Sequence, residues 1–272
     1  MDRVLVERGL ADSRVQAADL VERGLVVVSG APAAKPSRLV GPGEPVAVRE
    51  PDRYVGRGGR KLEAALARFG IDPRGLRCLD AGASTGGFTD CLLQHGARAV
   101  AAVDVGHGQL HQRLRTDGRV EVWERTDVRS IGPEVVGAAP FDLVVADLSF
   151  ISATAAAPVL AGPAVAPAAP IILLVKPQFE AGRAAVSRGR GVVRDLELHR
   201  RAIVAVGTAL ADAGAGIMGV MASPVPGHAG NREYFLHATA PAPGRHRQDA
   251  VDAGTLARWA SDAVDEVARA GS

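Results

Sequence analysis

The chain has 272 residues, of which 47% are hydrophobic and 23% charged, and its formal net charge is +2. This composition is typical of a globular protein with one large and one small domain, and it excludes a disordered chain. Its two cysteines, Cys78 and Cys91, exclude a disulfide scaffold and a cysteine-based zinc site. The start of the chain predicts no signal peptide, and the apolar stretch 153–175 is broken by four prolines. We therefore expect a cytoplasmic protein.

The first 50 residues are predicted to form a small α+β module. Helical patterns around Val4 and Val15 precede short strands at 25–28 and 46–48. A module of this size is marginally stable by itself, which favours a role in recognition. Residues 51–60 are rich in proline, glycine and arginine and are predicted to form a linker.

From residue 61 onward, apolar strands alternate with helical stretches, which predicts a doubly wound α/β sheet. The strands are predicted at 76–81, 99–105, 120–123, 141–147, 171–175, 216–221 and 233–238, and helices at 61–69, 87–95, 108–115, 152–162 and 195–213. The last two strands are joined by a segment too short for a parallel crossover, so the last strand is predicted to be antiparallel. This domain is predicted to span 61–240. A tail at 241–272 follows, with a helix at 255–270.

The segment CLDAGASTGGFTD at 78–90 predicts a strand, a glycine-rich turn and the start of a helix, where open sheets bind ligands. One interpretation is a dinucleotide loop, although the charge of Asp80 would oppose a pyrophosphate. A second is a nucleophile elbow built on the serine of G-x-S-x-G. A third is an S-adenosylmethionine site, where an acid attracts the ammonium and sulfonium charges. The third fits best, and its candidate cofactor-binding residues are Asp80, Gly82, Ser84, Gly86, Gly87 and Phe88.

Acidic residues also follow the next two predicted strands. Asp104 is placed to accept hydrogen bonds from ribose hydroxyls, and Asp127 is placed to bind an adenine amino group. Helix capping is the alternative role for such acids. Capping would explain any one of the three carboxylates, but it explains all three less well.

Lysine is rare in this chain: 29 of the 32 basic side chains are arginine, and the three lysines are Lys35, Lys61 and Lys176. Unlike arginine, lysine can lose its proton when burial or charged neighbours lower its pKa. Lys61, Asp147, Lys176 and Glu233 come from four separate elements that are predicted to meet at one side of the sheet. A lysine flanked by acids can orient a hydroxyl group and take its proton. A surface salt bridge is the alternative for each lysine taken alone.

The ordered set Lys61, Asp147, Lys176 and Glu233 resembles the K-D-K-E tetrad of FtsJ-like ribose 2′-O-methyltransferases. The strings LDAGASTGGFTD, DVGHGQL, VVADLSFIS, LLVKPQFE and GNREYF are similar to the TlyA (hemolysin A) branch over nearly the whole chain. This resemblance implies an S-adenosylmethionine-dependent enzyme that methylates cytidine 2′-hydroxyls of ribosomal RNA in assembled subunits. It also implies that residues 1–50 form an S-four-type RNA-binding domain.

Four basic residues are the candidates for RNA binding. Arg14 and Lys35 match basic RNA-facing positions of the family, and Arg57 and Arg60 lie in a basic stretch between residues 53 and 68. A second basic stretch runs from 183 to 201. The expected partner is ribosomal RNA, and neither a membrane nor a metal ion is expected.

Two other functions stay open at this point. The segment DLSF at 147–150 is distantly similar to the motif of base-nitrogen methyltransferases, although Lys176 argues against that interpretation. The hemolysin name of the family suggests a membrane-lytic protein, but no amphipathic basic helix supports one. Phe150 and Phe179 are candidates to sandwich a flipped base.

Overall fold

A computed structural model describes residues 1–22, 24–33, 35–49, 53–132, 137, 139–149, 151–181, 191–227, 230–244 and 251–270. The chain divides into two units, Met1–Arg53 and Tyr54–Ser272. Among the described residues, no helix is both long enough and apolar enough to cross a membrane.

The first unit is a small α+β fold, as predicted. Two helices precede a three-stranded antiparallel sheet of order β2-β1-β3, and Leu5, Val21 and Val28 are among the residues of its small core. The elements are α1 (Asp2–Glu7), α2 (Arg14–Glu22), β1 (Val26–Val28), β2 (Ala31–Pro32) and β3 (Val46–Val48).

The second unit is a seven-stranded sheet of order β6-β5-β4-β7-β8-β10-β9. Its strands are β4 (Arg77–Ala81), β5 (Ala99–Val103), β6 (Val120–Trp123), β7 (Leu143–Ala146), β8 (Pro170–Val175), β9 (Gly216–Ala222) and β10 (Tyr234–Thr239). The strands from β4 to β8 pair in parallel, whereas β10 is antiparallel to both β8 and β9. The predicted doubly wound sheet with an antiparallel last strand is therefore confirmed.

Helices cover both faces of this sheet. On one face α3 and α4 pack against a core that includes Leu66, Leu92 and Phe235, and on the other face α6, α8 and α9 pack around residues such as Val206 and Leu236. The helices are α3 (Gly58–Phe69), α4 (Gly87–Gln94), α5 (Gln112–Arg115), α6 (Ala153–Leu160), α7 (Pro177–Glu180), α8 (Leu196–Asp212) and α9 (Ala253–Ala270).

Two local predictions differ from the structure. Residues 54–60, which we predicted as part of the linker, belong to the second unit, where α3 already begins at Gly58. Tyr54 is buried against Gly59, where only glycine leaves room for the ring. The helix predicted at 108–115 is a single turn that begins after His111, because Gly108 has φ +69° and His111 has ψ 138°, both outside the right-handed helical region.

The strand order defines where a ligand site is expected. The chain runs from β4 outward to β5 and β6 and then returns to β7 on the other side of β4. Such a reversal opens a crevice at the carboxyl ends of the central strands. Because β10 is antiparallel, its first residue lies at this same edge, and Tyr234 pairs with Val175 at the end of β8.

Candidate active site

The first feature of this edge is a buried ion pair between Lys61 on α3 and Glu233, the residue before β10. Lys61 Nζ lies 2.5 Å from Glu233 Oε2, and the two side chains are only 8% and 3% exposed. A Cβ at position 227 would overlap Glu233 Oε1, so Gly227 leaves the room that this carboxylate occupies. A charged pair this deep in the protein requires both partners, because either charge alone would be desolvated without compensation.

A second ion pair lies at the carboxyl ends of β7 and β8. Lys176, directly after β8, has its Nζ 2.5 Å from Asp147 Oδ1, and Asp147 directly follows β7. The same Nζ donates a hydrogen bond to Ser149 Oγ at 2.8 Å. The structure therefore brings the four predicted residues together as two lysine–carboxylate pairs at one edge of the sheet.

A cavity of about 380 Å³ lies at the crevice between β4 and β7. Its volume is within the range of small-molecule sites in proteins. Polar lining comes from the glycine-rich turn and from the ends of β5, β6 and β7, and includes Gly82, Ser84, Asp104, Asp127, Asp147 and Ser149. A recess of about 110 Å³ is lined by Gly82, Gly87, Phe88 and Asp147, among others.

The predicted cofactor residues thus fall into two groups. Gly82, Ser84, Gly87, Phe88, Asp104 and Asp127 line one or both of these spaces. Gly86 and Asp80 are buried and line neither of them. Gly86 has φ +97°, and a Cβ there would overlap Leu114. Gly86 therefore contributes to the site by allowing the chain to follow this turn.

Asp104 holds two of the loops that flank the cavity. Its Oδ2 accepts a hydrogen bond from Ser84 N at 2.8 Å, and its Oδ1 accepts one from Gly106 N at 2.7 Å. Ser84 has φ +48°, an uncommon conformation for a residue other than glycine. The carboxylate of Asp104 stabilises this turn directly.

Asp127 has the capping role that was the alternative for acids at strand ends. Its side chain caps the 3-10 turn Val128–Ser130 by accepting from Arg129 N at 2.9 Å. The Arg129 guanidinium, 2.5 Å away, lowers the pKa of Asp127 to about 2. Asp127 also lines the cavity, so capping and ligand contact are compatible here.

Asp80 is the fully buried acid of the site. Its Oδ2 accepts from Thr89 Oγ1 at 2.6 Å, whereas Oδ1 has no hydrogen-bond partner among the described residues. Burial raises the pKa of Asp80 to about 7 from 3.8, and the hydrogen bond from Thr89 opposes part of this rise. The carboxylate form is therefore disfavoured in the folded protein.

The stability of the second unit is expected to fall as pH rises from about 4 to about 7. In this range the folded state retains a proton on Asp80 that the unfolded chain has lost, so raising the pH favours unfolding by at most a few kcal/mol. Asp80→Asn is expected to flatten this slope, and Asp72→Asn, at an exposed position, to leave it unchanged. Urea unfolding at several pH values, followed by tryptophan fluorescence, measures this pH dependence of the free energy of unfolding, because both tryptophans, Trp123 and Trp259, lie in this unit. Equal slopes for the wild type and Asp80→Asn would contradict the assignment.

The four candidate RNA-binding residues are all exposed. Arg14 pairs with Asp2 at 2.8 Å in the first unit, where Lys35 also lies. Arg57 and Arg60 stand at the start of α3 in the second unit. Phe150 and residues 182–190 lie outside the described residues. Phe179 is half-buried, with Lys176 Nζ 5.6 Å from its ring centroid.

Sequence reasoning missed Ser149 and Gly227. Ser149 was only part of the DLSF string, although a hydroxyl two residues after a strand-end acid is a usable signal. Gly227 carries no local signal, because its importance comes from a side chain six residues away that folds back against it.

The fold is that of a Rossmann-type methyltransferase. Residues 54–240 match the FtsJ-like methyltransferase family and residues 2–46 match the S4 domain. The 16S/23S rRNA (cytidine-2'-O)-methyltransferase TlyA of Mycobacterium tuberculosis is 50% identical over 238 residues, which cover 87% of this chain and 88% of that protein. Hemolysin A of Brachyspira hyodysenteriae is 38% identical and is matched over 98% of its length and 87% of this chain.

A solved structure shows the same architecture over the whole chain. It is a candidate hemolysin from Streptococcus thermophilus, with a TM-score of 0.73 and 35% identity over 99% of this chain and 97% of that one. This chain belongs to the TlyA family of FtsJ-like methyltransferases, and its S4 domain precedes the methyltransferase fold. The resemblance drawn from the motifs is confirmed.

Proposed function

We propose that this protein transfers a methyl group from S-adenosylmethionine to the 2′-hydroxyl of a cytidine in ribosomal RNA, acting on ribosomal subunits in the cytoplasm. The observation that carries the proposal is the pair of lysine–carboxylate contacts at this edge of the sheet, Lys61–Glu233 and Lys176–Asp147, of which Asp147 also lines the cavity. The activity that names the Mycobacterium tuberculosis relative supports the choice of substrate.

The chemistry of the cavity fits this cofactor. Carboxylates of Asp104, Asp127 and Asp147 line it, and Asp127 and Asp147 are paired with Arg129 and Lys176, so the charge of Asp104 is the one that no ion pair among the described residues balances. Such a surface attracts a cation and repels a pyrophosphate. We assign Asp104 to the ribose hydroxyls and Asp127 to the adenine amino group. Asp80 and the turn residues Gly82, Ser84, Gly86, Gly87 and Phe88 are assigned to the remainder of the cofactor site.

In this proposal Lys176 is the base that removes the proton of the acceptor hydroxyl. Bound S-adenosylmethionine supplies a sulfonium methyl group, and its transfer to oxygen releases a neutral thioether and the proton of the hydroxyl. A ribose hydroxyl is too weak an acid to lose this proton unaided, so a positioned base accelerates the reaction. The amine of Lys176 takes the proton, and the adjacent Asp147 carboxylate balances the ammonium charge that forms.

Lys61 and Glu233 have a supporting role in this proposal. Because the pair is buried, solvent screens its electric field only weakly, and the field acts more strongly on nearby groups. Glu233 holds Lys61 in place, and because Tyr234 pairs with Val175, Glu233 and Lys176 both lie just beyond the paired ends of β10 and β8.

The first unit is proposed to dock RNA. Arg14 and Lys35 present exposed cations there, and Arg57 and Arg60 add two more at the start of the methyltransferase fold. Contacts of this type bind phosphates and position the substrate without reading its sequence.

Gly82→Ala is expected to weaken cofactor binding by about fivefold or more. Gly82 has φ +86°, and a Cβ there would lie 2.5 Å from the carbonyl oxygen of Asp147, so the substitution pushes apart the two walls of the cavity. Overpacking of this kind costs about 1–3 kcal/mol. Isothermal calorimetry with S-adenosylmethionine measures the loss. Gly75→Ala is the control, because Gly75 has φ +76° and a Cβ there would meet nothing within 4 Å; similar affinities of the two variants would contradict the proposal.

Methyl transfer from radiolabelled S-adenosylmethionine to unmodified small and large ribosomal subunits, assayed separately, tests the function. Nuclease digestion then locates the label, which is expected on the ribose of a cytidine. Label on a base would instead make the enzyme a base-nitrogen methyltransferase. Absence of label, with cofactor binding shown by calorimetry, would overturn the proposed substrate.

In the same assay, replacing Arg14 and Lys35 with alanine is expected to raise the subunit concentration needed for half-maximal rate. An unchanged concentration would contradict RNA docking by these residues.

A further inference from the structure

We propose that Ser149 is a positioning residue that orients the amine of Lys176 toward the acceptor hydroxyl. This inference rests on the proposed function, because it concerns the base of that reaction. The observation that supports it is the contact between Lys176 Nζ and Ser149 Oγ at 2.8 Å. Ser149 and Asp147 both line the cavity.

To act as the base, Lys176 must be a neutral amine, which has two N–H bonds and one lone pair. One of these hydrogens is donated to Ser149 Oγ, and the Asp147 carboxylate, with Oδ1 2.5 Å from Nζ, attracts the other. The lone pair then has one remaining direction, away from both oxygens, in which to meet the hydroxyl proton. With Asp147 alone, the amine would rotate about its Cε–Nζ bond between orientations that waste the lone pair.

The loop that carries Ser149 is fastened to the segment that carries Lys176. Glu180, on α7, accepts hydrogen bonds from Ser152 Oγ at 2.5 Å and from Ala153 N at 2.7 Å. Because Glu180 lies one helical turn after Lys176, this clamp holds the two loops in register. The Ser149 hydroxyl therefore has a defined place relative to the amine.

Ser152 provides a matched control on the same loop. Its hydroxyl contacts Glu180 and Thr154, and the structure places Ser149, not Ser152, on Lys176. Loss of either hydroxyl loosens the loop, but only the loss at 149 frees a hydrogen of the amine. Ser149→Ala and Ser152→Ala therefore separate positioning of the base from order in the loop.

The experiment measures single-turnover methyl transfer to ribosomal subunits at saturating S-adenosylmethionine for the wild type and three variants. Ser149→Ala is expected to lower the rate constant by about 10- to 100-fold, the effect of losing one hydrogen bond from the ammonium that forms as the proton is transferred. Its cofactor dissociation constant, measured by calorimetry, is expected to stay within about twofold, because the Ser149 hydroxyl is engaged by Lys176 although the residue lines the cavity. Ser149→Thr restores a hydroxyl and most of the rate. Ser152→Ala is expected to lower the melting temperature while keeping most of the rate, because Ala153 N still donates to Glu180 and holds the loop.

Three results would overturn the inference. A wild-type rate for Ser149→Ala would show that the hydroxyl is dispensable. Weaker cofactor binding with an unchanged saturated rate would make Ser149 a cofactor contact. An equal loss in Ser152→Ala would show that loop order alone is responsible. A wild-type enzyme that labels no ribose would instead refute the proposed function, which keeps the two failures distinct.

Discussion

Replacing Lys176 with alanine is expected to lower the rate of methyl transfer by about 100- to 10,000-fold, the usual contribution of general base catalysis. Cofactor binding is expected to stay nearly unchanged, because the cavity lining includes Asp147 but not Lys176. The remaining Asp147 side chain is 22% exposed, so solvent compensates for part of the lost ion pair. Single-turnover transfer of radiolabelled methyl to ribosomal subunits, together with calorimetry of cofactor binding, measures both effects.

Lys176→Arg is the matched control for the role of charge. Arginine keeps the positive charge beside Asp147 but stays protonated, so it cannot accept the proton. We expect this variant to be about as inactive as Lys176→Ala. Near-normal transfer by either variant would contradict Lys176 as the base, and substantial activity of the arginine variant alone would indicate that only the positive charge is needed.

The second large effect is expected on stability, from Glu233→Gln. This change leaves the ammonium of Lys61, 8% exposed, without its carboxylate partner. Breaking a buried ion pair on one side costs about 3 kcal/mol or more in the free energy of unfolding. Urea unfolding followed by tryptophan fluorescence measures this loss. Glu197→Gln is the control, since Glu197 pairs with Arg200 at an exposed position of the same unit.

A double variant separates stability from catalysis at this pair. Lys61→Met with Glu233→Gln removes both charges, so most of the lost stability is expected to return. Methyl transfer is not expected to return, because the proposed reaction uses the charges themselves. A double variant as unstable as Glu233→Gln would show that packing, and not an uncompensated charge, causes the loss. Recovery of transfer would remove this pair from the mechanism.

Much of the fold was predictable from local pattern. The apolar strands and their crossover helices follow from periodicity, and the short connection before Glu233 required the antiparallel last pair. The prediction failed where the backbone leaves the helical conformation. Gly108 has φ +69° and its N–H donates to the side chain of Glu124, sixteen residues away, and the helix expected at 108–115 is one turn that begins after His111.

The candidate site, like the fold, was predictable from the sequence only in part. Residue type and position in the chain single out Lys61, Asp147, Lys176 and Glu233, because lysine is rare here and strand ends share an edge. The partner of each lysine follows only from the order of strands in space: Lys61 meets a carboxylate 172 residues away. The room that Gly227 leaves and the hydrogen bond to Ser149 likewise arise when distant segments pack together. The periodicity of apolar residues and the local residue composition depend on residues that are close in the chain, so they can be read from the sequence. Contacts between distant side chains depend on the folded geometry and are visible only there.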